Sequence, residues 1–118
     1  MSSAQFDHVS VIKKSNVYFD GKCVSHVVQF EDGTRKTLGV IMPTDQPLTF
    51  ETHVAERMEI VSGECRVLIA GNEESELFRA GQSFYIGANS TFNKRQGANS
   101  TFKVETNVVV DYVCHFEG

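Results

Sequence analysis

Residues 56–69 read ERMEIVSGECRVLI, and the order of apolar and charged side chains in this stretch decides the fold class. Met58 and Ile60 point one way while Arg57 and Glu59 point the other, and the alternation resumes at Cys65, Val67 and Ile69 after Ser62-Gly63-Glu64. A period of two broken at a glycine reads as a strand, a turn and a second strand, whereas a helix would repeat its apolar positions every three and four residues. Toward the C-terminus the even positions are Val104, Thr106, Val108, Val110, Tyr112, Cys114 and Phe116, against Glu105, Asn107, Asp111 and His115 at odd positions. That pattern predicts a half-buried strand or a pair of strands.

Further turns are signalled at Asp20-Gly21, Glu31-Asp32-Gly33, Pro43 to Pro47, Ala70-Gly71-Asn72 and Ala80-Gly81, where glycine, proline and short polar side chains favour tight reversals. Roughly eight to ten strands of about five to eight residues fit between them. No stretch carries sustained helical spacing, so crossover helices have no room. The strands must run antiparallel and close or pack on themselves, and an all-β barrel or jelly roll is expected.

The 118 residues have the length of one domain, and 41% hydrophobic with 22% charged residues is a balance that predicts a packed core. A formal net charge of −4 and a pI near 5.5 argue against partners held mainly through phosphates, so neither nucleic acid nor an anionic membrane is expected. One or two placed arginines can still hold a small phosphate. Cys23, Cys65 and Cys114 include no CxxC or CxxxC pair that would suggest zinc or a redox dithiol, so free thiols in a reducing compartment are expected. The N-terminal MSSAQFDHVSVIKK has no basic region followed by a long apolar stretch, and the expected location is cytoplasmic. The hexapeptide GANSTF occurs at 87–92 and again at 97–102. The even offset preserves strand parity, so either copy of this local duplication can present the same side chains inward.

LTFETHVAERMEIVSG (48–63) and AGQSFYIGANSTF (80–92) resemble the two signature segments of the cupin superfamily. The resemblance implies a single-domain jelly-roll β-barrel of the RmlC-like type over 1–118, with its core at about 15–117. Glu56 and Gly63 have the superfamily's separation. Its metal-ligand slots, however, fall on Phe50 and Thr52, or on Thr49 and Glu51, and the last falls on Phe92. None is imidazole, and His53 is one residue out of phase, which in a strand turns it to the opposite face. Iron, manganese or zinc needs several N/O ligands converging on one point, so no metal site is expected.

SNVYFDGK (15–22), TLGVIMP (37–43), FRAGQSFYIGANSTF (78–92) and DYVCHF (111–116) sharpen the resemblance. Together with the 48–63 segment they are similar to the small one-cupin family of pyrimidine/purine nucleoside phosphorylases, over about Ser15 to Phe116. The chain departs from the family's pattern in carrying two NSTF copies and in having Gly87 where members usually have proline. The resemblance implies phosphorolysis of purine and pyrimidine ribonucleosides to free base and ribose 1-phosphate. It also implies inorganic phosphate as co-substrate, no metal or organic cofactor, and a homodimer. A non-catalytic cupin that binds a sugar or nucleotide, and a metal-dependent cupin enzyme with an unusual ligand set, remain as rival readings.

Such a reaction needs a cradle for phosphate, oriented acceptors for the ribose and its developing positive charge, and an apolar slot for the base. Arg35, ahead of TLGV, is the phosphate candidate because a guanidinium makes paired hydrogen bonds, with the Thr37 or Thr52 hydroxyls assisting. Its alternative is a solvated hairpin end beside Lys36. Glu56, the surviving ligand position, is the candidate for the ribose, its alternative being an edge carboxylate paired with Arg57 or Arg66. Phe50, Phe84, Phe92 or Phe102, and Tyr112 are candidates for the base slot, Phe50 first because it replaces a metal ligand; each is otherwise a core aromatic. Asn89 and Ser90, or Asn99 and Ser100, are hydrogen-bonding candidates or else turn residues. Cys114 falls on the apolar face of the last strand and reads as a buried thiol without a nucleophilic role.

Overall fold

A computed structural model describes residues 4–87 and 101–116. Among them run β1 (Ser10–Val11), β2 (Asn16–Tyr18), β3 (Cys23–Gln29), β4 (Arg35–Ile41), β5 (Leu48–Glu51) and β6 (Glu56–Ser62). β7 (Glu64–Ile69), β8 (Glu76–Arg79), β9 (Ser83–Ile86), β10 (Thr101–Glu105) and β11 (Val110–Phe116) follow. The helical content of the described residues is a single 3-10 turn at Phe19–Gly21. The strands pair antiparallel in two sheets, as the period-two alternation requires. The larger has the order β1-β3-β4-β11-β6-β9 with β2 also on β3, and the smaller has the order β5-β10-β7-β8.

The chain changes sheet repeatedly after β4, and the changes from β4 to β5, β5 to β6, β6 to β7 and β8 to β9 are short corners. Between β6 and β7 the corner is Gly63 alone, at φ +82°; a Cβ there would strike the Val109 carbonyl. Glycine is therefore required at this corner both by the left-handed backbone and by space. The two strands of residues 56–69 accordingly lie in different sheets and not in one hairpin. The pattern of residues 104–116 resolves into a pair, β10 and β11, joined by a corner built on buried Thr106. Thr106 Oγ1 donates to the Glu64 carbonyl at 2.8 Å and accepts the Val108 amide at 3.0 Å, while the Thr106 amide donates to Thr44 Oγ1 at 3.2 Å. Polar groups buried at a sheet corner need such partners to avoid a desolvation cost.

Side chains from both sheets meet in one core, including Ile41, Met58 and Ile60 of the larger and Cys65, Val67, Phe102 and Val104 of the smaller. The inward row of β11 is Val110, Tyr112 and Cys114, as the even positions predict. Its outer row is drier than alternation suggests, because Val113 and His115 are buried as well. Lys36 Nζ donates to His115 Nδ1 at 2.8 Å, and His115 Nε2 donates to Glu59 Oε1 at 2.8 Å, so the neighbouring strands close over the ring. Burial holds the His115 pKa below its ordinary value, which suits the neutral tautomer those bonds require.

Candidate functional site

A cavity of about 590 Å³ opens between the two sheets. One wall is a polar row on the larger sheet. Thr37 of β4 pairs with Cys114 of β11, Cys114 pairs with Met58 of β6, and Glu56 lies two residues along β6 on the same face. Ser25 of β3, opposite Gly39, also lines this wall. The Glu56 carboxyl faces the Cys114 thiol, which also neighbours the Thr37 hydroxyl, and the groups influence one another's ionisation. Burial raises the Glu56 pKa, opposed by the neighbouring Cys114 thiol and by His53. Burial and the adjacent Glu56 charge push the Cys114 thiol far up, so it stays protonated at neutral pH.

Tyr112 spans the floor. Its phenol lies 3.3 Å from Cys23 Sγ, and burial raises its pKa so that it remains neutral. The ring has room because its partner across the ladder is Gly39; a Cβ at that position would overlap the Tyr112 ring.

The opposite wall is aromatic. Phe50 of β5 lies parallel to Phe102 of β10, with ring centroids 5.0 Å apart and planes within 8°, and Phe19 meets Phe50 edge-on at 5.0 Å. Tyr18 and Phe116 flank the mouth and remain exposed.

Glu56, Thr37, Phe50 and Tyr112 are thus brought together as expected from sequence. Arg35 lies on the same face of β4 two residues before Thr37, at the exposed start of the strand, so it stands outside the lining. Thr52 and Phe84 do not reach the cavity. Thr52 is buried and donates to the Gly87 carbonyl at 3.3 Å. Phe84 is buried between Phe78 and Phe102, at 4.9 and 5.5 Å, because β9 aims it into the core behind the aromatic wall. Asn89, Ser90 and Phe92 lie outside the described residues; the second GANSTF copy supplies Phe102 to the wall. Among the described residues no group of three or more His, Cys, Asp or Glu could hold a metal ion.

Tyr18, Phe19, Ser25 and Phe116 line the cavity without having been singled out. Parity on β11 carried a signal for Phe116 and for a site role of Cys114, since both share the row of Tyr112. Ser25 had no signal, because its place depends on β3 joining β4.

A family model described as pyrimidine/purine nucleoside phosphorylase matches residues 13–116. A curated relative of that name from Acinetobacter baylyi is 72% identical over 118 residues, covering all of both chains. Another of that name, from Cupriavidus taiwanensis, is 54% identical over 117 residues, covering 99% of this chain and 100% of its own. A crystal structure of a protein of unknown function from Acinetobacter sp. ADP1 has a TM-score of 0.87 at 71% identity, covering 98% of this chain and 100% of its own. More distant likeness to iron-bound HppE, with a TM-score of 0.64 at 10% identity over 94% of this chain and 57% of that one, is likeness to a cupin and shows the all-β cupin fold alone.

Proposed function

Because the chain belongs to the pyrimidine/purine nucleoside phosphorylase family, we propose that its cavity converts purine and pyrimidine ribonucleosides plus phosphate to free base and ribose 1-phosphate, without metal or organic cofactor. The observation that carries this reading is the pairing of one half-buried carboxylate, Glu56, beside Cys114, with an aromatic wall across a cavity of about 590 Å³. That volume falls within the usual range for small-molecule sites.

Hydrogen phosphate binds between the Arg35 guanidinium and the Thr37 hydroxyl, where paired hydrogen bonds hold and orient it. The base lies along the aromatic wall, and the ribose rests over Glu56. A phosphate oxygen forms the new bond to C1′ as the C1′–N bond breaks. The bonding pair leaves on the base nitrogen, which takes up the proton of hydrogen phosphate directly or through water. Positive charge that develops at C1′ and the ring oxygen is stabilised by the Glu56 carboxylate, which also accepts the ribose hydroxyls.

A cytoplasmic homodimer belongs to the same reading. Its support is that β9 ends the larger sheet while β5 and β8 end the smaller among the described residues, leaving edges for pairing. No helix of the described residues is long and apolar enough to cross a membrane.

The test is incubation of the purified protein with inosine, uridine or adenosine, with and without phosphate, following base and ribose 1-phosphate. Phosphate-dependent release of both is expected. Release independent of phosphate would indicate hydrolysis, and nucleoside binding without release would indicate a binding module; either overturns the proposal.

A further inference from the structure

Phe50 is the aromatic that sequence assigns to the base, yet one face of its ring is already covered by the parallel ring of Phe102. The free aromatic surface lies one ring further out. Phe19 rests edge-on against Phe50 and is 36% exposed at the mouth, beside Tyr18 at 49%. Together with Phe116 at 44%, these form a cluster of large apolar side chains left in water around one opening, the kind of surface that marks a binding site.

The backbone beneath Phe19 is unusual. Phe19, Asp20 and Gly21 have φ of +54°, +54° and +94°. Glycine and aspartate tolerate the left-handed region, but a bulky aromatic rarely adopts it. The turn is clamped from both sides. Tyr18 pairs with Cys23 across β2 and β3, and the Lys22 amide donates to the Phe19 carbonyl at 3.1 Å. The Met42 amide donates to the Lys22 carbonyl at 2.7 Å, and Lys22 Nζ donates to the Pro43 carbonyl at 3.2 Å. A conformation this unfavourable persists only where its surroundings over-determine it, and such positions concentrate at ligand clamps. The segment is the SNVYFDGK stretch, to which the catalytic reading gives no task.

We propose that Phe19, with Tyr18 beside it, is the platform on which the nucleobase stacks, and that the left-handed Phe19–Gly21 turn holds this ring over the cavity mouth. The inference rests on the nucleoside phosphorylase reading and makes Phe19 a specificity-determining residue within it. Stacking recognises a π-face that every base presents, so the platform admits purines and pyrimidines and grips the larger purine ring more firmly.

The experiment compares Phe19→Ala, Phe19→Leu and Phe19→Trp with the wild-type chain. Loss of a stacked base is expected to raise KM for nucleosides about 5- to 150-fold in the alanine and leucine variants, more for inosine than for uridine. KM for phosphate and the melting temperature stay near wild type, and tryptophan restores nucleoside affinity. Nucleoside KM within about twofold of wild type in both the alanine and leucine variants overturns the inference while leaving phosphorolysis standing. Calorimetric binding of inosine without phosphate separates the two readings. Binding that depends on Phe19 in a protein that releases no base once phosphate is added supports the platform and overturns the catalytic reading; absence of inosine binding to the wild type overturns the platform.

Discussion

Replacing Gly39 with alanine probes the floor of the cavity through one methyl group. In an open strand this change would stabilise the chain by about 0.5–1 kcal/mol, because alanine loses less backbone entropy on folding. Here the added Cβ would overlap the Tyr112 ring, which lies across Gly39 in the β4–β11 ladder. Overpacking of this kind costs about 1–3 kcal/mol. Displacing the ring also breaks the buried contact of the Tyr112 hydroxyl with Cys23 Sγ, at 3.3 Å, adding about 1 kcal/mol. Set against the entropic gain, the expected net effect is a destabilisation of about 1–3.5 kcal/mol, which for a chain of this length lowers Tm by roughly 4–14 °C. Thermal melts followed by circular dichroism measure it. Tyr112→Leu removes the obstructing ring, so a double-mutant cycle should show the alanine becoming tolerated beside leucine, with a coupling above about 1 kcal/mol. A Gly39→Ala variant as stable as wild type, or an additive cycle, would refute the packing argument. Since Tyr112 floors the cavity, the same variant should also bind nucleosides more weakly.

Glu56→Gln is expected to lower turnover by about 100-fold or more, by removing the charge that faces C1′, as read from initial rates at saturating nucleoside and phosphate. Burial raises the Glu56 pKa above the ordinary 4.5, so the acid limb of kcat/KM should lie above the usual carboxylate range. The folded state binds this proton more tightly than the unfolded state, so the residue's contribution to stability falls as pH rises from 4.5 through the raised folded value. At neutral pH the glutamine variant should therefore melt no lower than wild type; a clearly lower Tm would contradict the burial cost. Arg35→Ala should raise KM for phosphate by about 10- to 100-fold while leaving nucleoside KM and Tm nearly unchanged, since the side chain is exposed at the strand start. An unaltered phosphate KM would remove Arg35 from the site.

The alternation in residues 56–69 and 104–116 determined that the chain is all-β and which faces of β6, β7, β10 and β11 turn inward, because a strand's period of two is a local property of the backbone. The same parity, joined to the segment resemblance, was enough to put Glu56, Phe50 and Tyr112 in the cavity. Pairing partners are not local. That β11 lies between β4 and β6, and β10 between β5 and β7, is decided by contacts between distant residues. Those contacts create the Thr37–Cys114–Glu56 row, send Phe84 behind the wall and Thr52 to Gly87, and cover one face of Phe50 with Phe102. The left-handed turn at Phe19 belongs to the same class, since only clamps from β3 and from Met42 and Pro43 make its backbone tenable. Local alternation thus specified the inward rows of those four strands, whereas the tertiary structure decided which inward residues meet, because a cavity wall is made of neighbours across strands and not along one.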